Sequence, residues 1–166
     1  TRFSAMKKIN KAQIIFSVIT FAVMVCIFLF SCENSDESSE TSGTFVKIIT
    51  NIFYSNFDTI PESQQTEIFD KISHFIRKIA HFSIYTALGF FSSMAAGRKK
   101  LISKKSISVV GFCFLYACSD ELHQYFVPGR SCMFTDVLID TCGSITGLII
   151  SLIILKITTK KYAVPK

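Results

Sequence analysis

The sequence predicts an all-α, polytopic membrane protein with four transmembrane helices and two amphipathic extracytoplasmic helices between spans 1 and 2. The chain is apolar, with 49% hydrophobic residues, 17 Phe among 166 residues and a mean hydropathy of +0.42. Long uncharged runs alternate with short charged segments, and basic and acidic residues fall in different segments. These observations are typical of a single membrane domain covering residues 1–166 rather than of a soluble domain of this size.

The lengths of the uncharged runs define the predicted spans. A helix rises about 1.5 Å per residue, so about 20 residues cross a hydrocarbon core about 30 Å thick. Residues 12–31 meet this length without any charge. The other spans are predicted at about 79–97, 106–125 and 136–155. The last two reach the required length only by including acidic residues, so carboxylates are expected at membrane depth.

The end of the first run has a second interpretation. A basic start, an apolar run and the residues 29–32, Leu-Phe-Ser-Cys, before an acidic, Ser-rich segment resemble a lipoprotein signal cleaved and lipidated at Cys32. Phe30 fits such a motif poorly, and further apolar runs follow, so an uncleaved first span is preferred. Residues 33–43 are then a solvated linker.

Residues 44–78 are predicted to form an extracytoplasmic helical insert. Apolar residues recur at helical spacing on either side of a turn at 55–58, which predicts two amphipathic helices. We expect these helices to lie on the membrane surface or to cover the bundle.

The distribution of charge predicts the orientation of the chain. The N-terminal segment, the 98–105 loop and the tail from Lys156 contain most of the 18 Lys and Arg residues, whereas all 12 acidic residues fall on the opposite side of the membrane. The positive-inside rule then predicts cytoplasmic N- and C-termini. The net charge of +6 therefore follows from topology, and nucleic acid is excluded as a partner.

Four ionisable residues are predicted to lie at one depth in the outer leaflet. His81, Asp120, Glu121 and Asp140 are each 15 to 17 residues from the charged cytoplasmic end of their helix. That separation corresponds to about 22–26 Å of helix. Ionisable side chains at membrane depth are costly and mark functional sites. We therefore expect a shared polar cavity that opens outward.

The last span carries its polar residues on one stripe. Asp136, Asp140, Gly143 and Gly147 share a helical face. Small residues four apart favour close helix packing in membranes. The carboxylates are therefore expected on the packing face, away from lipid.

Three roles for the polar cavity stay open: a structural ion network, a binding site for an anionic ligand, and a catalytic or metal site. Arg130 follows a Pro-Gly turn and is suited to bidentate binding of a phosphate or carboxylate. Its alternative role is an ion pair with Asp136. Arg77 and Lys78 lie near the outer surface, where bases also contact lipid phosphates.

The candidate residues divide by role. The candidate catalytic residues are His81, Asp120, Glu121, His123 and Asp140. The candidate ligands for a divalent metal, the only cofactor considered, are His81, Asp120, Glu121 and Asp140. The candidate ligand-binding residues are Arg77, Lys78, His81, Tyr85, Gln124, Arg130 and Asp136.

The cysteines do not suggest a metal site or a disulfide framework. None of the six belongs to a CxxC pair, and we interpret them as small hydrophobic residues. A bridge between Cys32 and Cys132 is the alternative.

Several motifs resemble the VanZ-like family, in order, from Met6 to about Leu155. The similarity includes the ending of the first span in Phe30-Ser31 and its Ser-rich continuation. The other motifs are 76–82, Ile-Arg-Lys-Ile-Ala-His-Phe, with Tyr85, Leu88 and Gly89; 120–124, Asp-Glu-Leu-His-Gln; 127–131, Val-Pro-Gly-Arg-Ser; and 136–140, Asp-Val-Leu-Ile-Asp, with Gly143 and Gly147. Ile84 departs from the family pattern, which often has Glu at this position.

This resemblance implies a multi-pass protein of the bacterial inner membrane, linked to resistance to teicoplanin and related lipoglycopeptides. We expect it to bind an anionic ligand at the membrane surface, with membrane lipids, a lipid-linked cell-wall precursor or a lipoglycopeptide as partners. The alternatives are a metal- or acid/base-dependent membrane enzyme that acts on a lipid headgroup, and a scaffold for cell-wall synthesis proteins.

Overall fold

The computed structural model describes residues 10–33, 35–53, 57, 60–97, 101–130 and 132–162, with the backbone alone at 35–42, 51 and 160–162. The described residues form five helices and no strand, which confirms the prediction of an all-α fold. The helices are α1 (Lys11–Cys32), α2 (Ser35–Phe53), α3 (Glu62–Ala95), α4 (Lys104–Gln124) and α5 (Phe134–Tyr162).

Local sequence accounts for several helix ends. The Asn10 side chain accepts a hydrogen bond from the Ala12 amide, and Asn10 also forms a reciprocal capping box with the backbone and side chain of Gln13 at the start of α1. Oγ of Ser103 accepts a hydrogen bond from the Ser106 amide and caps α4. Gly97 follows α3 with a φ of 58°, in the left-handed conformation common just after a helix.

The insert between the first two predicted spans differs from the prediction. α2 begins at Ser35, so most of the segment predicted as a solvated linker is helical. The second predicted amphipathic helix and the second predicted span are one helix, α3, of 34 residues. Nothing between Glu62 and Leu88 is Gly or Pro, so no residue interrupts the helical hydrogen bonding where the prediction placed a boundary at 78/79.

Two of the described helices are both long and apolar enough to cross a membrane. They are α1 and the segment Phe134–Thr159 of α5. The sequence analysis predicts four spans, and α3 and α4 do not meet this criterion of composition. Serines are interspersed among their apolar residues, and α4 ends in acidic residues. Length and composition thus give two candidate membrane spans among the described helices, and the predicted four-span topology is not confirmed.

α3 lies at the centre of the bundle and packs most extensively against α5. Glycines make this contact close. A Cβ atom on Gly143 would come 2.5 Å from the carbonyl oxygen of Phe82, and one on Gly147 would come 2.7 Å from the amide nitrogen of Phe90. A Cβ on Gly89 would collide with the backbone of Ser144. We call this contact of Gly89, Gly143 and Gly147 the glycine seam.

The core beside the glycine seam is small and is built from four helices. Ile27 of α1, Tyr85 and Leu88 of α3, Cys113 of α4 and Leu148 of α5 belong to one buried cluster. All six cysteines are free, so the alternative bridge between Cys32 and Cys132 is not formed.

Candidate functional site

A polar cavity of about 490 Å³ lies where α3, α4 and α5 diverge beyond the glycine seam. Its lining comes from α3, α4, the α4–α5 connection and α5. The lining residues are Asp70, Ser73, His74, Arg77, Lys78, His81, Glu121, Gln124, Gly129, Arg130, Asp136, Ile139 and Asp140. We call this space the polar cavity.

The α3 wall of the polar cavity follows directly from helical spacing. Asp70, Ser73, Arg77 and His81 are separated by three or four residues, so they lie on one face of a continuous helix. Asp70, Ser73 and His74 were not among the predicted site residues. The prediction of a helix boundary at 78/79 separates these side chains from His81, although their helical spacing from Arg77 indicates the same face.

Three predicted candidates meet at the inner end of the polar cavity. Nδ1 of His81 lies 3.7 Å from Oδ2 of Asp140. One ligand atom each from His81, Asp120 and Asp140 lie within 4.8 Å of one another. Asp140 is only 2% exposed, and its Oδ1 has no hydrogen-bond partner among the described residues. A buried carboxylate oxygen without a donor is costly, so this position is suited to a cation or a bound donor.

A metal ion would find suitable ligands in this group. An imidazole nitrogen and two carboxylate oxygens are a donor set that zinc and similar divalent ions accept. The unpartnered Oδ1 of Asp140 is an observation of the structure that fits such an ion. Glu121, the fourth predicted metal ligand, is not a member of this group.

Asp120 is held by a hydrogen-bond network that joins α1 to α4. Ser31 donates through Oγ to Oδ1 of Asp120 over 2.5 Å. Gln124 donates from Nε2 to Oδ2 of Asp120 and to Oγ of Ser31, both over 3.2 Å. All three side chains are buried, and these bonds supply partners that burial removes from water. Ser31 was missed as a site residue, although a serine at the end of an apolar span was a usable signal.

Glu121 holds the connection between α4 and α5. Its Oε1 accepts a hydrogen bond from the backbone amide of Met133 over 2.6 Å, immediately before α5 begins. A carboxylate at this point also interacts favourably with the positive end of the α5 dipole. The observed contact thus gives Glu121 a role in positioning the loop that carries Arg130.

Of the Lys and Arg side chains that line the polar cavity, Lys78 forms an ion pair, whereas Arg77 and Arg130 do not. Nζ of Lys78 lies 2.6 Å from Oδ1 of Asp136. This pair replaces the Arg130–Asp136 pair considered as an alternative in the sequence analysis. Arg130 donates from Nη2 to the carbonyl oxygen of Phe30 over 3.2 Å. No carboxylate of the described residues lies within ion-pair distance of Arg77 or Arg130.

The two arginines also have buried donors without acceptors. Nε of Arg77, and Nε and Nη1 of Arg130, are buried and make no hydrogen bond to any side chain or backbone group that the structure describes. Burial, and then the positive charge of Arg77, lower the pKa of the Arg130 guanidinium, while Glu33 opposes that shift. An arginine keeps its charge in proteins nonetheless. The polar cavity therefore contains two arginine cations, and no described carboxylate is in contact with either of them.

Three predicted site residues, Tyr85, Asp120 and His123, lie outside the polar cavity lining. His123 faces α1, with its ring centroid 5.0 Å from that of Phe28 and its Nε2 3.5 Å from Sγ of Cys32. Tyr85 is fully buried, and its hydroxyl lies beside the carboxylate of Asp120. The other predicted ligand-binding residues line the polar cavity.

A family model described as VanZ/LLP1 matches residues 16–155, which include every residue of the polar cavity and Ser31. No curated protein and no solved structure matches the chain.

Proposed function

This chain belongs to the VanZ/LLP1 family, as its motifs indicated, and on that premise we propose that its polar cavity binds the anionic group of a ligand at the outer surface of the bacterial inner membrane. One observation carries the proposal. Arg77 and Arg130 line the polar cavity with buried N–H donors that have no acceptor within the described part of the chain.

The proposed topology has four spans, α1, the second half of α3, α4 and α5, with cytoplasmic termini. Support for α4 comes from its two faces. It exposes the large apolar side chains Ile107 and Leu115, each at 68%, and buries Asp120 and Glu121. A helix with its polar groups inward and its apolar groups outward suits a lipid environment. The second half of α3 buries Tyr85 and Leu88 in the bundle and leaves Ile79 exposed, which suits a helix that packs on one side and faces lipid on the other.

An anion would satisfy the two arginines. A buried donor left without an acceptor costs about 1–3 kcal/mol, and a hydrogen bond to a charged group contributes about 1.5–3 kcal/mol. The planar guanidinium fork matches the geometry of a phosphate or a carboxylate. The resemblance to VanZ-like proteins links such binding to teicoplanin resistance, with a lipid-linked cell-wall precursor or a lipid-anchored antibiotic as the bearer of the anion.

Titration of the purified full chain in detergent with butyl phosphate tests the proposal. Arg130→Gln and Arg77→Gln each remove a charge and its donors. Since each charge-assisted bond contributes about 1.5–3 kcal/mol, we expect each variant to bind about 10- to 100-fold more weakly by calorimetry. Lys47→Gln removes an exposed charge on α2 and is the matched control, with unchanged affinity expected. Equal affinity in the parent and both arginine variants would contradict the proposal.

The group of His81, Asp120 and Asp140 favours a second candidate function, metal-dependent hydrolysis at a lipid headgroup. A divalent ion bound there supplies Lewis-acid activation of a phosphoryl oxygen or of water. Elemental analysis of the purified chain after incubation with zinc, manganese or magnesium tests this candidate.

We expect one equivalent of metal in the parent, and its loss from the double variant His81→Ala, Asp120→Asn. His74→Ala changes a histidine that lines the same cavity outside the group, so this control should retain the metal. A parent that binds none of these ions would exclude the second candidate and leave anion binding unaffected.

A further inference from the structure

An apolar groove of about 380 Å³ adjoins the polar cavity. The two spaces share three lining residues, Arg77, His81 and Arg130. The rest of the apolar groove, apart from Glu33, is made of apolar side chains from α1, α2 and α3. These apolar residues are Ile27, Phe30, Phe45, Ile76, Ile79, Ala80 and Ile84.

The apolar groove extends along α3, away from the arginines. Its lining on this helix runs from Ile76 to Ile84, which corresponds to about 12 Å of helix. One leaflet of a hydrocarbon core is about 15 Å thick. On α1, which passes α3 in the opposite direction in the proposed topology, Ile27 lies deeper than Phe30. The apolar groove therefore has the length and direction of a lipid chain that enters from the outer surface.

We propose that the polar cavity and the apolar groove form one site for an anionic lipid. This inference rests on the proposed function, because the headgroup is the anion held by Arg77 and Arg130. The new element is the acyl chain, which lies in the apolar groove between α1 and α3, with Arg77 near the outer end of the groove and His81 further along it.

The distribution of polar groups favours a lipid chain over a peptide as the occupant. A peptide buries a donor and an acceptor at nearly every residue, and these need partners along the whole groove. The charged and polar lining residues of this groove are Glu33 and the three shared residues, which adjoin the polar cavity, while the remainder is apolar. A molecule with one anionic end and one apolar chain matches that arrangement.

A series of alkyl phosphates separates the two parts of the proposed site. The full chain in detergent is titrated with butyl phosphate and with dodecyl phosphate. We expect the parent to bind dodecyl phosphate at least tenfold more tightly. Ala80→Leu places a larger side chain at an exposed position that lines the apolar groove. This variant should lose the advantage of the long chain and keep the affinity for butyl phosphate.

Ser83→Leu is the matched control, since Ser83 is also exposed on α3 and does not line the apolar groove. It should bind both probes as the parent does, which separates filling of the groove from partition into micelles. A parent that binds both probes equally, or an Ala80→Leu variant that keeps the long-chain advantage, overturns the inference. If either outcome occurs but butyl phosphate still binds and its binding depends on Arg130, the proposed function stands without the acyl-chain inference. If butyl phosphate does not bind, both the proposed function and the inference are refuted.

Discussion

The same two helices, α3 and α5, meet through backbone atoms in one half of the molecule and through side chains in the other. In the glycine seam their backbones are in contact, because Gly89, Gly143 and Gly147 have no side chain to hold them apart. In the polar cavity the facing positions carry Arg77, Lys78 and Asp136 instead, and the helices enclose a space. Side-chain size along one stripe of each helix thus determines where the bundle closes and where it opens.

The largest expected effect comes from breaking the closed half. Gly147→Leu places a side chain against the Thr86 carbonyl and the Phe90 amide nitrogen, and backbone atoms cannot move aside as a flexible side chain can. We expect a loss of about 3 kcal/mol or more of stability, beyond the usual 1–3 kcal/mol of overpacking. Thermal unfolding in detergent measures it.

Gly111→Ala is the control for that change, because nothing lies within 4 Å of the Cβ that it adds to α4. It should be neutral or stabilise by about 0.5–1 kcal/mol, as expected for Ala in place of Gly within a helix. Equal stability of Gly147→Leu and Gly111→Ala would show that the seam is not a packed contact.

An intermediate loss of stability is expected from breaking the hydrogen bond between Ser31 and Asp120. Ser31→Ala removes the donor to Oδ1 of the buried Asp120. A buried acceptor left without its donor costs about 1–3 kcal/mol, so the unfolding temperature should fall. Ser119→Ala, at an exposed serine of α4, is the comparison, and should leave that temperature nearly unchanged. If the two variants unfold alike, the Ser31–Asp120 bond does not contribute to stability.

The smallest effect on stability is expected at Asp136, which lines the polar cavity. The same change is expected to strengthen ligand binding. Asp136→Asn releases Lys78 from a partly exposed ion pair. Such pairs contribute about 0–1 kcal/mol, so stability should change little. The cavity gains a free cation, and butyl phosphate should bind severalfold more tightly in calorimetry.

Glu67→Gln provides the matched test of that gain, since it breaks an exposed pair with Lys71 outside the polar cavity. The affinity for butyl phosphate should not change in this variant. A similar gain in both variants would mean that overall charge, rather than Lys78 in the cavity, controls the binding.

The closed half could be predicted from the sequence better than the open half. The stripe of Gly143 and Gly147 is a local pattern, and helical periodicity places it on one face without knowledge of the partner helix. The partner is harder to infer, because Gly89 is an isolated glycine in α3. The sequence likewise predicts that the described residues form helices and no strand, because its apolar residues recur at helical spacing.

The open half depends on side chains that meet across helices and loops. Lys78 and Arg130 were both plausible partners for Asp136, and only the path of the α4–α5 connection decides between them. The continuity of α3 was also missed, because a switch from amphipathic to apolar composition at Ile79 was interpreted as a helix boundary. A helix can change its environment without ending, as α3 does.

That continuity has a mechanical consequence. α3 is about 51 Å long at about 1.5 Å per residue, and it carries both the cavity wall and the seam. Between Glu62 and Leu88 it contains no Gly or Pro, the residues at which helices usually kink. The helix therefore has no sequence-encoded hinge between the cavity wall and Leu88. A tilt of its axis at Arg77 would be transmitted to the glycine seam, where close backbone contact with α5 opposes it.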